Sequence, residues 1–295
     1  MKILLTGATG QVGWELARTL LPIGEVIAVD RNQADLADLS SLRAIIQQHK
    51  PNVIVNPAAY TAVDKAESEQ GTAFLVNAEA PGVLAEEANK IGAMLVHYST
   101  DYVFDGSKNA PYTEGDSTNP SNVYGQSKLA GEKAIQSIAN DFLILRTSWV
   151  YASRGNNFLK TILRLAAERE ELKIVSDQIG SPTWARLIAE TTAHVVWQAM
   201  KQRQDSRFSS GVYHLTSSGE TSWHGFAEKI VDIVREQGKV ELKNRAIQPI
   251  PTTDYPLPAQ RPANSRLSSD RLEQQFGLTL PSWDNALKLC MQELG

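Results

Sequence analysis

Tyr124 and Lys128, in the segment YGQSKLAGEK, stand four residues apart, so on a helix a phenol and an ammonium share one face. That spacing suits proton transfer. A free tyrosine has a pKa near ~10 and shuttles protons poorly at neutral pH unless positive charge favours its phenolate. A third group comes from HYSTDYVFDG, where a strand-like run ends in Ser99 and Thr100. A hydroxyl at the C-terminal edge of a parallel sheet can bond a substrate oxygen beside the phenol, because ligands of open α/β sheets sit at that edge. Successive strand residues face opposite ways, so Ser99 and Thr100 cannot serve equally. By itself YxxxK is also a chance pattern around a tyrosine that merely packs.

The stretch ILLTGATGQVGWELARTL supplies context, with Gly7, Gly10 and Gly13 spaced GxxGxxG between a first strand and a first helix. Glycines there let the backbone turn tightly and approach a pyrophosphate, whose charge meets free amides at the helix N-terminus. Close helix packing alone can also demand them. The next strand, EVIAVD, ends at Asp30, 23 residues after Gly7, about where a carboxylate accepts hydrogen bonds from the adenosine ribose. Asp30 could instead cap the following turn. A ribose acid favours NADH, whereas the adjacent Arg31 could hold the extra phosphate of NADPH, so the pair suits weak preference or dual use. NPAAYTAVDKAE, after the third strand, should lie beside the nicotinamide half. An oxidised nicotinamide ring together with the Lys128 ammonium could bring the Tyr124 phenol to near ~7, which takes about 4 kcal/mol. Lys128 would also hold the nicotinamide ribose.

These groups need a scaffold, and the first half of the chain provides one. KILLT, EVIAVD, NVIVN, AMLVHYS and FLILR alternate with amphipathic segments. Strands that apolar are buried on both faces, which predicts an α/β fold, a Rossmann-type doubly wound parallel sheet with right-handed crossovers. After Arg146 the rhythm loosens: helices are predicted at about 157–170, 185–200 and 223–237, strands at LKIVS and GVYHLT, and closing helices after Ser268 and Pro281. Between them IQPIPTTDYPLPAQRP reads as an irregular proline-rich connection. The expected division is residues 1–147 for the dinucleotide and 148–295 mainly for substrate, with some segments crossing back. The 295 residues, 42% apolar and 21% charged with net charge −4, describe an ordinary globular chain with no general attraction for nucleic acid or an anionic membrane. The opening MKILLTG has no leader pattern and no stretch is long and apolar enough to span a bilayer, so the expected location is cytoplasmic. The single cysteine, Cys290, is expected to pack in the last helix, and His97 to be a hydrogen-bonded core residue.

In order along the chain, TGATGQVGWEL, NPAAYTAVDKAE, HYSTDYVFDG, YGQSKLAGE, RTSWVYASRGNNF, DQIGSPT and RPANSRL resemble the extended short-chain dehydrogenase/reductases, and within them the dTDP-4-dehydrorhamnose reductases. The resemblance spans nearly the full length. It implies NAD(P)H-dependent reduction of the C4 ketone of dTDP-4-dehydro-L-rhamnose, the last step in making dTDP-L-rhamnose for surface polysaccharide such as O-antigen. It gives Thr100, Tyr124 and Lys128 the catalytic roles, Asp101 and Trp149 contacts with the sugar, and Gly10, Gln11, Val12, Asp30, Asp35, Leu36, Ala59, Tyr60 and Thr61 contacts with the cofactor. Arg261 and Arg266 become candidates for the sugar-nucleotide pyrophosphate, with Asn156, Asn157 and Gln178 as polar contacts. The arginines could equally make surface ion pairs, and Trp149 could be core. Related 4,6-dehydratases carry threonine, aspartate and glutamate at the strand end; here the third position is Tyr102, which argues against dehydration and leaves reduction. An epimerase, or a non-catalytic dinucleotide-binding regulatory subunit, is the alternative. The family also implies a homodimer and, in many members, a magnesium ion held by helix carboxylates. Glu15 and Glu293 could contribute, yet Arg186 places positive charge where another acid is expected, so the sequence does not support the metal.

Overall fold

The computed structural model describes residues 1–238 and 241–294. Six parallel strands form its central sheet, in the spatial order Gly211–His214, Phe142–Thr147, Met94–Thr100, Val53–Asn56, Lys2–Leu5 and Glu25–Ala28. The doubly wound α/β architecture read from the apolar strands is therefore present. Alternate residues feed opposite faces. Ile3 and Leu5, with Val53, Val55, Leu143 and Leu145, pack against the helices Gln11–Thr19 and Ala185–Gln204. Leu4, Ile54, Leu95 and Ile144 face the other way, toward the helices Leu39–His49, Ala80–Ile91 and Val123–Ile138. Strand order reverses between Lys2–Leu5 and Val53–Asn56, which sets a ligand crevice at their C-terminal ends.

The later part of the chain contributes to both halves. Helix Ala185–Gln204 and strand Gly211–His214 belong to the central sheet layer. A separate apolar cluster joins Tyr151, Leu159, Ile162, Trp184, Phe226, Ile230 and Leu287, and it buries Cys290, whose thiol is pushed up to about 12 by burial. In the proline-rich stretch the expectation of irregular chain fails: Ala246–Ile250 is a strand, paired in parallel with Glu171–Val175. A two-stranded ladder leaves each strand an open edge, so Pro249 fits without a donor N–H.

Candidate active site

The glycine loop is built by close approach. Gly7 has φ +57°, and a Cβ on it would lie 2.9 Å from Cβ of Ala58; one on Gly13 would lie 2.0 Å from the Gly7 carbonyl oxygen. No side chain caps Gly10, so the helix Gln11–Thr19 opens its first turn to a cleft of about 650 Å³. Gly7, Gly10, Gln11, Val12 and Gly13 line it, and Ala59, Tyr60 and Thr61 form a further stretch of its wall. Asn77, fully buried on a π-helical turn (Leu75–Glu79), fixes that wall. Its Oδ1 accepts from Tyr60 N at 2.9 Å, and its Nδ2 donates to Tyr60 O and to Ser127 Oγ, each at 3.0 Å. Nothing in the local sequence singled Asn77 out, although Gly131 marks the contact: a Cβ there would meet the Asn77 carbonyl oxygen at 2.0 Å.

Asp30 makes the turn contacts given as its alternative. Its Oδ1 accepts from the amides of Asn32 and Gln33, at 2.9 and 3.2 Å, which is the turn-capping use. The cleft wall is formed instead by Arg31, Ala34, Asp35 and Leu36, with Arg31 Nε 3.1 Å from Asp35 Oδ2. The Ala37 amide and Arg31 hold the Asp35 carboxyl below its ordinary range. A guanidinium and a carboxylate thus share this part of the cleft wall.

Helix Val123–Ile138 starts at Asn122, whose Oδ1 accepts from Gly125 N at 2.8 Å. A Cβ on Gly125 would sit 2.2 Å from the Tyr102 carbonyl oxygen, so this turn presses against the loop after strand Met94–Thr100. Tyr124 and Lys128 both line the cleft, as the four-residue spacing requires. Lys128 is buried, and its Nζ donates to Tyr98 O at 2.7 Å and reaches His97 Nε2 at 3.2 Å. His97 Nδ1 meets the side-chain amide of Asn56 at 3.0 Å, which meets Thr6 Oγ1 at 2.6 Å. Burial, then the Lys128 charge, keeps His97 well below its ordinary pKa, so it stays neutral and accepts from the ammonium. Burial likewise lowers Lys128 to about 8, against the pull of the Glu132 carboxylate.

Taken together, the chain's own groups do not lower the Tyr124 phenol. Burial pushes its phenol up to about 12; the Thr100 hydroxyl pulls it down and Asp101 pushes it further up. Lys128 Nζ is directed to Tyr98 O and His97 Nε2 and is not among the groups that lower the phenol. Thr100 Oγ1 donates to Asp101 Oδ1 at 3.0 Å and accepts from Tyr102 N at 3.2 Å. Burial lifts the Asp101 carboxyl to about 6, opposed by the Ser265 and Thr100 hydroxyls. Tyr102 packs edge-on against Tyr124, ring centroids 5.6 Å apart, so an aromatic edge occupies the position where dehydration would want an acid.

Trp149 has φ +47°, a left-handed backbone that aromatic residues rarely adopt. Its ring stacks on Trp223, with centroids 3.6 Å apart and planes 10° from parallel, and covers Gly180, where a Cβ would approach it to 2.6 Å. Trp223, missed from sequence, is held by Gln178: its Nε1 donates to Gln178 Oε1 at 3.2 Å, and Gln178 Nε2 donates to Thr252 Oγ1 at 3.1 Å. Gln178 is therefore engaged in fixing the tryptophan pair. Both arginines are engaged too. Arg261 grips Asp64 with two hydrogen bonds, at 2.6 and 2.7 Å, and Arg266 bonds Glu220 at 2.9 Å and Asn264 at 2.8 Å. This is the ion-pair alternative. Asn156 is exposed, while Asn157 caps the helix Phe158–Glu168 and donates to Gln11 Oε1 at 2.8 Å, tying the two halves across the cleft.

The donor set suggested for magnesium does not fit a cation, because one is built in. Arg186 bonds Glu15 at 3.2 Å and also pairs with Glu293. Among the described residues no group of three or more acids, histidines or cysteines could hold a metal ion.

Residues 1–295 match the family model described as RmlD substrate binding domain. The dTDP-4-dehydrorhamnose reductase of Burkholderia thailandensis is 56% identical over 295 residues, 100% of this chain and 99% of that protein. The Escherichia coli enzyme of the same name is 48% identical, covering 100% of this chain and 98% of that protein. A crystal structure of dTDP-4-dehydrorhamnose reductase from Bacillus anthracis, in complex with NADP, superposes with TM-score 0.87 at 35% identity over 99% of each chain. A UDP-glucose 4-epimerase complex with NAD from Thermus thermophilus, at 19% identity and TM-score 0.79, shares the fold. Matching throughout its length, the chain belongs to the family of the dTDP-4-dehydrorhamnose reductases.

Proposed function

We infer that this chain reduces the C4 ketone of dTDP-4-dehydro-L-rhamnose to dTDP-L-rhamnose, with NADPH or NADH as reductant. One observation carries the reading. The cleft that begins at the glycine loop ends at the Tyr124 phenol with Thr100 beside it, in a chain 56% identical from end to end to a reductase named for that substrate.

The Gly7–Gly13 turn and the first turn of helix Gln11–Thr19 suit the pyrophosphate of a dinucleotide, and Arg31, Asp35 and Leu36 its adenosine end. Lys128 suits the nicotinamide ribose. When bound, the reduced nicotinamide supplies the hydride. Tyr124 gives its proton to the C4 oxygen, and the Thr100 hydroxyl steadies that oxygen beside it. Asp101 and Trp149 hold the sugar. Because Arg261 and Arg266 begin in ion pairs, a pyrophosphate would have to exchange with Asp64 or Glu220 to reach them. Residues 1–147 chiefly serve the dinucleotide and 148–295 the sugar nucleotide. Tyr102 in place of an acid supports reduction over dehydration, and the retention of Tyr124 and Lys128 on one crevice, with the Thr100 hydroxyl against the phenol, supports an enzyme over a regulatory subunit. Family membership supports a cytoplasmic homodimer whose product feeds surface polysaccharide such as O-antigen. No described helix is long and apolar enough to cross a membrane.

The test mixes the purified protein with the ketosugar nucleotide and NADPH and follows loss of reduced-nicotinamide absorbance. Tyr124→Phe should bind cofactor normally and lose roughly 10²- to 10⁴-fold in kcat, the usual worth of a positioned proton donor. Full turnover by that variant would overturn the assignment of the acid.

A further inference from the structure

Ser99 and Thr147 lie on neighbouring strands, where Ser99 opposes Arg146 and Thr100 opposes Thr147. Both are more than nine-tenths buried and both line the same cleft as Tyr98, Tyr124, Lys128 and Val150. Neither hydroxyl oxygen has a hydrogen-bond partner within the chain. Thr100, next along the strand and as deeply buried, differs on the other two counts: it is hydrogen-bonded and it is not part of that wall. A buried hydroxyl with no partner is costly, and two on one wall of a ligand cleft mark a place where the partner arrives with the ligand.

The position along the cleft says which part of the ligand that is. Pyrophosphate-binding glycines stand at Gly7 to Gly13 and the adenosine wall at Arg31 to Leu36, whereas Ser99 and Thr147 belong to the end that holds Tyr124 and Lys128. The two hydroxyls themselves are neutral, and the Lys128 ammonium nearby is directed at Tyr98 O and His97. A hydroxyl both donates and accepts, so a pair of them matches a group with one acceptor oxygen and an NH₂. We propose that the Ser99 and Thr147 hydroxyls hold the carboxamide of the nicotinamide and so fix which face of the ring is turned to the sugar. This assignment rests on the dinucleotide reading of the cleft given above.

The test uses the full chain with Ser99→Ala, Thr147→Val and the double variant, measured without sugar nucleotide. NADPH affinity is read by its fluorescence, affinity for 2′-phospho-ADP-ribose, which lacks the nicotinamide ring, by calorimetry, and Tm by thermal unfolding. Each single variant should bind NADPH about five-fold more weakly, the worth of one neutral hydrogen bond, and the double variant roughly 25-fold. Binding of the ring-free fragment should not change, and Tm should hold or rise because a buried unpaired hydroxyl is gone. Variants that bind NADPH like the wild type overturn the proposal, as does an equal loss for NADPH and the fragment, which would report a loosened sheet. A wild-type protein that binds neither NADPH nor NADH would instead sink the dinucleotide reading itself.

Discussion

Lys128→Met separates the electrostatic cost of Lys128 from its use. The ammonium lies buried beneath the cleft, and its pKa is lowered from the ordinary 10.5 to about 8 because burial disfavours charge more than Glu132 favours it. That drop corresponds to roughly 3 kcal/mol held against the folded state at neutral pH. The sign follows from proton counting. Between about 8 and 10.5 the unfolded chain binds a proton that the folded chain does not, so stability rises with pH across that window. Below about 8 the cost is present in full. Methionine has no such titration. It also leaves Tyr98 O and His97 Nε2 without their donor, which adds an offset independent of pH. Urea unfolding of both proteins at about pH 7 and about pH 9.5 should therefore show the wild type gaining roughly 2 kcal/mol relative to the variant. A constant difference at the two pH values would mean that Lys128 titrates as if exposed, and a change of opposite sign would refute the burial argument outright.

Three further outcomes follow from the same geometry. Gly13→Ala puts a Cβ 2.0 Å from the Gly7 carbonyl oxygen, so the loop must move away from the helix; NADPH affinity should fall at least ~10-fold, read by fluorescence with circular dichroism confirming the fold. Trp223→Ala removes the ring that Trp149 stacks on, and an aromatic pair worth about 0.5–1.5 kcal/mol predicts a two- to ten-fold rise in KM for the sugar nucleotide; NADPH affinity should be unchanged and Trp223→Phe should recover most of the loss. Asp101, held at about 6 by burial, is ionised above that pH, so kcat/KM for the sugar nucleotide should fall as pH drops through about 6 and Asp101→Asn should flatten that limb.

What could be read from the chain alone was whatever its local spacing encodes. Strands apolar on both faces announce a parallel sheet, the glycine triplet announces a tight turn onto a helix, and Tyr124 with Lys128 announces one helical face. The partners of those residues were hidden, because the ladder supplies them. Asn56 and His97 face each other only through strand register, and that register is what gives Lys128 its acceptor. Trp223 reaches Trp149 from 74 residues further along the chain. Asp64 and Glu220 take up Arg261 and Arg266 in the same way, by contacts that no spacing rule foretells. Ala246–Ile250 was missed for a different reason: the proline-rich stretch it opens signals loop, and only an edge position makes Pro249 compatible with a strand.

The raised pKa of Tyr124 changes how its chemistry should be understood. A phenol brought near neutrality would suit oxidation, where it must take a proton from an alcohol. Reduction asks the reverse, that the proton already be on the phenol when the ketone arrives. Burial secures this, since at about 12 Tyr124 is fully protonated at any physiological pH. The acceptor is not a carbonyl but the alkoxide that develops as hydride reaches C4, a stronger base than a phenolate, so transfer still runs downhill. The Thr100 hydroxyl would lower the Tyr124 phenol against burial and Asp101 by turning its proton from Asp101 to the phenol. Lys128 serves through position instead, its ammonium anchored by Tyr98 O and His97 beneath the cleft. On this argument Thr100→Val should slow reduction and shift its pH dependence, whereas His97→Asn should alter cofactor affinity and leave the phenol's titration in place. A His97→Asn enzyme whose tyrosine titration moved while NADPH binding did not would show that the ammonium, and not the hydroxyl, governs the acid.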